Sequence, residues 1–293
     1  MIGIVRGGGN GTRLYPSTKA VNKHFFPVYD KPAIYYPISL LIQAGITDII
    51  FRVNFRDQQT YRDLLGDGSR FGVSIRYQEE TETVTIPGTL MECRALIGTQ
   101  PAAVALGDNV FIGENLRQRL RGAVERFYEN GGASVFCKAV EDPREFGVVE
   151  YDADGRILSL ESKPRNPRSN YAVTGLFFFD ETMFETIERT KPSEDGSVNF
   201  AEMLRQYLRE GRLHSEILDD GVQWFDTGTP ERLFQASAAV RDFQNSHASC
   251  AGSIEEAAFD CGRIDRNRLL ELSAELHPTA YAEYLARRAE QSL

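Results

Sequence analysis

Apolar residues along the first half of the chain come in short runs separated by amphipathic stretches. Ile2 to Val5, Asp48 to Val53, Val73 to Tyr77 and Ala102 to Leu106 are rich in Val, Ile, Ala and aromatic residues and read as buried strands. Between them, Pro37 to Ala44, Gln58 to Leu65 and Glu114 to Phe127 repeat apolar positions at helical spacing. Strand and helix in alternation predict βαβ crossovers, hence an α/β fold with a mostly parallel sheet flanked by helices. Such sheets hold ligands at the carboxyl ends of their strands. The middle of the chain is richer in strand: Ala133 to Ala139, Val148 to Tyr151, Ile157 to Glu161 and Ala172 to Phe179, with a turn at Asp152-Ala153-Asp154-Gly155. After Trp224 the pattern becomes helical, with Pro230 to Phe243 followed by a run of short helices over Ile254 to Glu290. No repeat or low-complexity linker interrupts it. The expectation is one continuous core over residues 1–245 and a helical appendage over 246–293, the latter serving as an oligomer contact.

Composition narrows the class. With 293 residues, 42% hydrophobic and 26% charged, the chain is neither disordered nor a disulfide miniprotein. At this length folding buries roughly 75% of the extended-chain surface, so no metal or disulfide staple is needed for stability. The 33 basic and 42 acidic residues give a net charge of −9, which disfavours nucleic acid as a partner while leaving room for a local anion pocket. Cys93, Cys137, Cys250 and Cys261 lack metal or redox spacing and read as packed thiols of a cytoplasmic protein. The start, Met1-Ile2-Gly3-Ile4-Val5, runs directly into glycines, so neither a signal peptide nor a membrane span is expected.

The strongest local signal is Gly7-Gly8-Gly9-Asn10-Gly11-Thr12-Arg13, directly after the first strand. Glycines there let backbone amides approach an anion without obstruction by Cβ. The run matches neither a G-x-G-x-x-G dinucleotide fingerprint nor a Gly-Lys-Ser/Thr loop. Arg13 and, ten residues on, Lys23 supply two cations that could converge on a polyphosphate. The four histidines show no metal spacing, and His24, beside Phe25 and Phe26, reads as a packed strand-edge residue. Tyr35-Tyr36 and Phe177-Phe178-Phe179 lie inside apolar runs and read as core.

Taken together, Gly8 to Pro16, Lys23, Pro27 to Pro32, Leu64 to Ser69, Leu106-Gly107-Asp108-Asn109, Phe146 to Glu150, Ser169 to Leu176 and Trp224-Phe225-Asp226-Thr227-Gly228-Thr229 resemble the sugar-1-phosphate nucleotidylyltransferases, most of all their thymidylyltransferase branch. The resemblance implies the Rossmann-like sheet of the nucleotide-diphospho-sugar transferases, with a nucleotide-binding part over 1–138 and a small β-rich acceptor-binding part over 139–229. It also implies a homo-oligomer. The implied reaction is attack by a sugar-1-phosphate oxygen on the α-phosphorus of a nucleoside triphosphate, with loss of pyrophosphate. Such chemistry asks for positioning and charge neutralisation more than for proton transfer. By the resemblance, Arg6, Gly7, Gly8, Gly9, Asn10, Gly11, Thr12, Glu80 and Gly88 face the nucleotide, Arg13 and Lys23 act on its phosphates, and Asp108 and Asp226 hold Mg2+. Asn109, Gly147, Glu161, Ser162, Lys163, Tyr171 and Val173 face the acceptor.

Several implied contacts are altered. An aliphatic-Ala pair of the family is Arg6-Gly7 here, and the glutamine that reads the thymine edge is Glu80. An ionised carboxylate only accepts, so it disfavours an imide and suits a cytosine amine or a guanine edge; alternatively, Arg6 and Glu80 pair with each other. A Gly-Leu-Ala-Gln-Ala stretch is replaced by the longer Thr81 to Glu92, a sugar-hydroxyl glutamate by Ser162, and a phosphate-binding arginine by Asp195. An anion in place of that arginine reverses the local Coulomb term. The residues therefore leave three readings: a Mg2+-dependent transferase with diverged base and acceptor, which could be a cyclitol phosphate; a non-catalytic nucleotide- or sugar-binding homologue; or an ordinary thymidylyltransferase of the family.

Overall fold

The computed structural model describes residues 1–80 and 85–291. Its elements run β1 (Ile2–Arg6), β2 (Pro27–Val28), β3 (Lys31–Pro32), α1 (Tyr35–Gln43), β4 (Asp48–Val53), α2 (Gln58–Leu65), β5 (Ser74–Glu79), α3 (Ile86–Glu92), α4 (Arg94–Ile97), β6 (Ala102–Leu106), β7 (Asn109–Gly113), α5 (Leu116–Asn130) and β8 (Ala133–Ala139). They continue as β9 (Gly147–Tyr151), β10 (Ile157–Ser162), β11 (Tyr171–Phe179), α6 (Met183–Arg189), α7 (Phe200–Arg209), β12 (Leu213–Leu218), β13 (Val222–Asp226), α8 (Pro230–Ser246), α9 (Ile254–Asp260), α10 (Arg266–Glu275) and α11 (Ala280–Glu290).

One sheet orders its strands β10-β9-β11-β6-β1-β4-β5, with β8 also on β11 and β12 on β8. From β6 to β5 it is parallel, as the βαβ pattern requires. It reverses at β11, whose neighbours β6, β8 and β9 all run antiparallel to it, and β12 returns parallel to β8. The Asp152 turn closes the β9–β10 hairpin: its carboxylate accepts from the amides of Asp154 and Arg156.

Alternation on β11 sends Phe177 and Phe179 into one apolar cluster and Phe178 into another, so the aromatic run is core on both faces of the sheet. Tyr35 and Tyr36 are likewise buried. The C-terminal helices α9, α10 and α11 place Ile254, Leu269 and Leu285 in the same cluster as Ile38 and Leu41 of α1, continuing the central core. The four cysteines are unbridged, three of them buried. Among the described residues, no helix is long and apolar enough to cross a membrane.

His24 departs from the expected strand edge. It sits in a 3-10 turn (Lys23–Phe25), fully enclosed, with Nδ1 3.0 Å from the Tyr61 hydroxyl. Burial, then the adjacent Lys23, depress its pKa to about 3, so the ring is neutral. Tyr61 in turn donates to the carbonyl of Gly7 at 3.2 Å, so the enclosed histidine buttresses the glycine loop.

Candidate active site

Sheet register assembles the site. Arg6 pairs with Arg52 and Leu106, and Val53 with Glu79, so β1, β4, β5 and β6 end at one edge. The segments that leave this edge are the glycine loop, Asn54 to Asp57, Glu80 and Gly107-Asp108. At Gly8 a Cβ would fall 1.6 Å from Oε2 of Glu80, so only glycine lets that carboxylate lie against the loop. Gly9 has φ +103° and faces open space, and Thr18 ties down the carbonyl of Gly11 at 2.7 Å. The turn Thr12–Leu14 then presents Arg13.

Asp226 arrives from a distant part of the chain, on a two-stranded ribbon of β7 and β13 in which it pairs with Asn109. The Thr227 amide and hydroxyl both donate to the Asp108 carbonyl at 2.9 Å, locking the two acid-bearing turns together. Lys23 Nζ lies 2.5 Å from Asp108 Oδ2, and Arg13 Nη2 3.8 Å from Asp226 Oδ2. Burial would raise the Asp108 carboxyl, but the charge of Lys23 and hydrogen bonds from Lys23 and Asn109 outweigh it and hold the group well below the usual carboxylate range. For Asp226, burial and then the charge of Asp108 win over the Gly228 amide and the guanidiniums of Arg13 and Arg232, and its pKa is raised. The ionised Asp108 is thus one of the two causes that raise Asp226, as a like charge nearby does.

On the other side of the loop, Arg6 Nη2 and Glu80 Oε1 form an ion pair at 3.3 Å, with the Glu80 side chain only 1% exposed. The second oxygen, Oε2, is buried and has no hydrogen-bond donor among the described residues. Pairing of Arg6 with Glu80 is thus realised, yet it leaves one acceptor unsatisfied.

A cavity of about 530 Å³ is lined by Leu106, Phe146, Gly147, Ser162, Lys163 and Val173 among others. Lys163 holds φ +47° and its amide donates to the Phe146 carbonyl. Three expected acceptor contacts do not line this cavity. Glu161 alternates to the opposite side of β10 from Leu160 and Ser162 and lies 3.6 Å from Arg168. Tyr171 packs edge-on against Tyr151. Asn109 is buried behind Asp108, donating to its Oδ1 at 3.0 Å and accepting from Trp224 Nε1 at 2.6 Å. Gly88, expected to face the nucleotide, lies in α3, whose Thr85 cap accepts from its amide, and it lines a neighbouring cavity together with Asp195, which accepts from Ser197. The reversed charge at Asp195 therefore falls outside the cavity that holds Lys163. Residues 81–84 of the longer replacement segment lie outside the described residues.

Two residues beside the site carry no role in the sequence reading. Arg232, in the first turn of α8, lies 3.5 Å from Asp226 and 2.9 Å from Glu145 and covers the Phe146 ring. Trp224 packs edge-on against that same ring. The available signal was the helix start after Asp226: Thr229 caps the Arg232 amide and Pro230 follows it, which fixes where Arg232 points.

A glycine loop at the carboxyl edge of a parallel sheet thus stands beside two cations and two acids from distant parts of the chain. The chain belongs to the nucleotidyl transferase family, whose model matches residues 2–242. It is 40% identical over 290 residues to a glucose-1-phosphate thymidylyltransferase of Neisseria meningitidis, covering 98% of this chain and 99% of that protein. It is 42% identical over 285 residues to the enzyme of the same name from Mycolicibacterium smegmatis, covering 97% and 98% respectively. A crystal structure of a candidate glucose-1-phosphate thymidylyltransferase from Bacillus anthracis, in complex with a sucrose, superposes with TM-score 0.75 at 36% identity, over 83% of this chain and 96% of that one.

Proposed function

We propose that the protein transfers a nucleoside monophosphate from a nucleoside triphosphate to a sugar-1-phosphate. The acceptor's phosphate oxygen bonds to the α-phosphorus, the bond from that phosphorus to the bridging oxygen breaks, and pyrophosphate leaves; no proton needs to move. The observation that carries this reading is the Lys23–Asp108 pair at 2.5 Å beside Asp226 and Arg13. In this reading the glycine loop and Arg13 hold the triphosphate and Lys23 meets the α-phosphate. Lys163, in the neighbouring cavity, binds the acceptor phosphate.

The donor set fits Mg2+: two hard carboxylates, buried and repelling each other, with no third His, Cys, Asp or Glu grouped with them among the described residues. Mg2+ is commonly held by one or two carboxylates plus substrate phosphates and water. Asp108 and Asp226 would hold it, and it would neutralise charge on the phosphates.

The relatives' names make dTTP and glucose-1-phosphate the reference substrates. One observation favours a second reading of the base: the unsatisfied Glu80 Oε2 at the loop suits a base edge that donates, as cytosine and guanine do. Pyrophosphate release is to be measured with Mg2+, four triphosphates (dTTP, UTP, CTP, GTP) and several sugar-1-phosphates, against Lys23→Ala. Release dependent on Lys23 supports transfer, and the preferred triphosphate decides the base. Its absence with every pair would favour a non-catalytic binding homologue.

A further inference from the structure

A second cavity, of about 420 Å³, opens directly off the glycine loop and is lined by Gly9, Asn10, Lys19, Lys23, Arg56 and Asp57 among others. It shares no lining residue with the cavity that holds Lys163. Lys23 lines the first, and its partner Asp108 lies two residues beyond Leu106, which lines the other. Phosphoryl-type displacement runs with the attacking and leaving oxygens roughly in line. An acceptor entering from the Lys163 cavity leaves the separate cavity off the glycine loop to take the leaving group.

Its charges suit that group. Three cations face one carboxylate, and Oδ2 of Asp57 already accepts from Asn22 at 2.7 Å. Lys23 is matched by Asp108, whereas the exposed Lys19 and Arg56 form no ion pair among the described residues. Both are nonetheless oriented: Arg56 Nη2 donates to the Ala20 carbonyl at 3.1 Å, and Lys19 Nζ stands 5.4 Å from the Tyr15 ring centre. In a chain of net charge −9, two held cations without a carboxylate partner beside a phosphate-binding loop point to a polyanion.

We infer that Lys19 and Arg56 form a subsite for the two terminal phosphates of the triphosphate and for the pyrophosphate released from it. The inference rests on the transfer reaction proposed above. They act as positioning residues, drawing the leaving group away from the α-phosphorus.

The test is calorimetric titration of the whole protein with inorganic pyrophosphate, with a nucleoside diphosphate-sugar as the control ligand. Lys19→Ala and Arg56→Ala are each expected to weaken pyrophosphate binding roughly 10-fold or more, as for charge-assisted hydrogen bonds, and Lys19→Arg to restore it. Affinity for the nucleoside diphosphate-sugar should stay within about two-fold, since it carries no terminal phosphate pair. Pyrophosphate affinity unchanged in the double alanine variant, or an equal loss for both ligands, overturns the subsite. A wild-type protein that turns over no triphosphate would instead overturn the transfer reaction, and the pyrophosphate titration would still read the subsite.

Discussion

Replacing Glu80 by Gln separates two roles that the same carboxylate could play. The Arg6–Glu80 pair lies at 3.3 Å, which at an effective dielectric of about 20 corresponds to about 5 kcal/mol of gross attraction. Desolvation of both groups consumes much of it, and the amide still offers Arg6 an acceptor. The net destabilisation expected is therefore roughly 1–3 kcal/mol, a fall of a few degrees in Tm. Base selection is a separate quantity. If Oε2 accepts from an exocyclic amine, the amide replaces that acceptor pair with one donor and one acceptor, a pattern that suits thymine or uracil. Discrimination by one good edge contact is worth about 1–3 kcal/mol, so the ratio of kcat/KM for CTP or GTP over dTTP should fall roughly 5- to 150-fold. The assay is initial-rate pyrophosphate release with each of the four triphosphates at fixed acceptor, alongside thermal melts. A lower Tm with the order of triphosphates unchanged would refute the base-reading role and leave Glu80 as the buried partner of Arg6.

Other outcomes follow from the same geometry. Asp108→Asn keeps the size and most hydrogen bonds of the side chain but removes the charge that faces Lys23, so turnover should fall on the order of 10²-fold or more with the near-ultraviolet dichroism intact; full activity would exclude Asp108 as a ligand. Lys163→Ala should raise the acceptor KM roughly 10-fold while leaving that for the triphosphate unchanged, because its cavity is distinct from the one off the glycine loop. In the C-terminal helices, burial raises the carboxyls of Glu255 and Glu256, which meet the hydroxyls of Tyr281 and Tyr284, above their ordinary 4.5. The folded state then binds more protons than the unfolded one, so these groups stabilise most below pH 4.5 and lose that contribution as pH rises through their raised values. Denaturant titrations of the wild type and of Glu255→Gln across that range should differ in slope with this sign, and parallel curves would contradict it.

The local pattern was enough for the scaffold. The apolar runs at β4, β6 and β8 and the amphipathic α2 have the bounds expected from periodicity, since a strand buried on both faces or a helix with one apolar stripe writes its environment into consecutive residues. The glycine loop was equally legible, because close approach of Glu80 to Gly8 and a φ of +103° at Gly9 admit little else. Partnership was not legible. The β7–β13 ribbon joins Asn109 to Asp226 across more than a hundred residues, and the apolar residues of each strand mark it as buried without naming its partner. Glu161 and Ser162 are adjacent in the chain, yet only the pleat of β10 decides that Ser162 faces the cavity and Glu161 faces Arg168. Asn109 became the brace behind Asp108, and Arg232, Lys19 and Arg56 gained meaning only from what stands beside them. Consecutive residues were enough to specify the strands, the loop and the kinds of charge available. Which charges meet depended on tertiary structure, because Coulomb and hydrogen-bond energies are set by distances of a few ångströms that spacing along the chain does not encode.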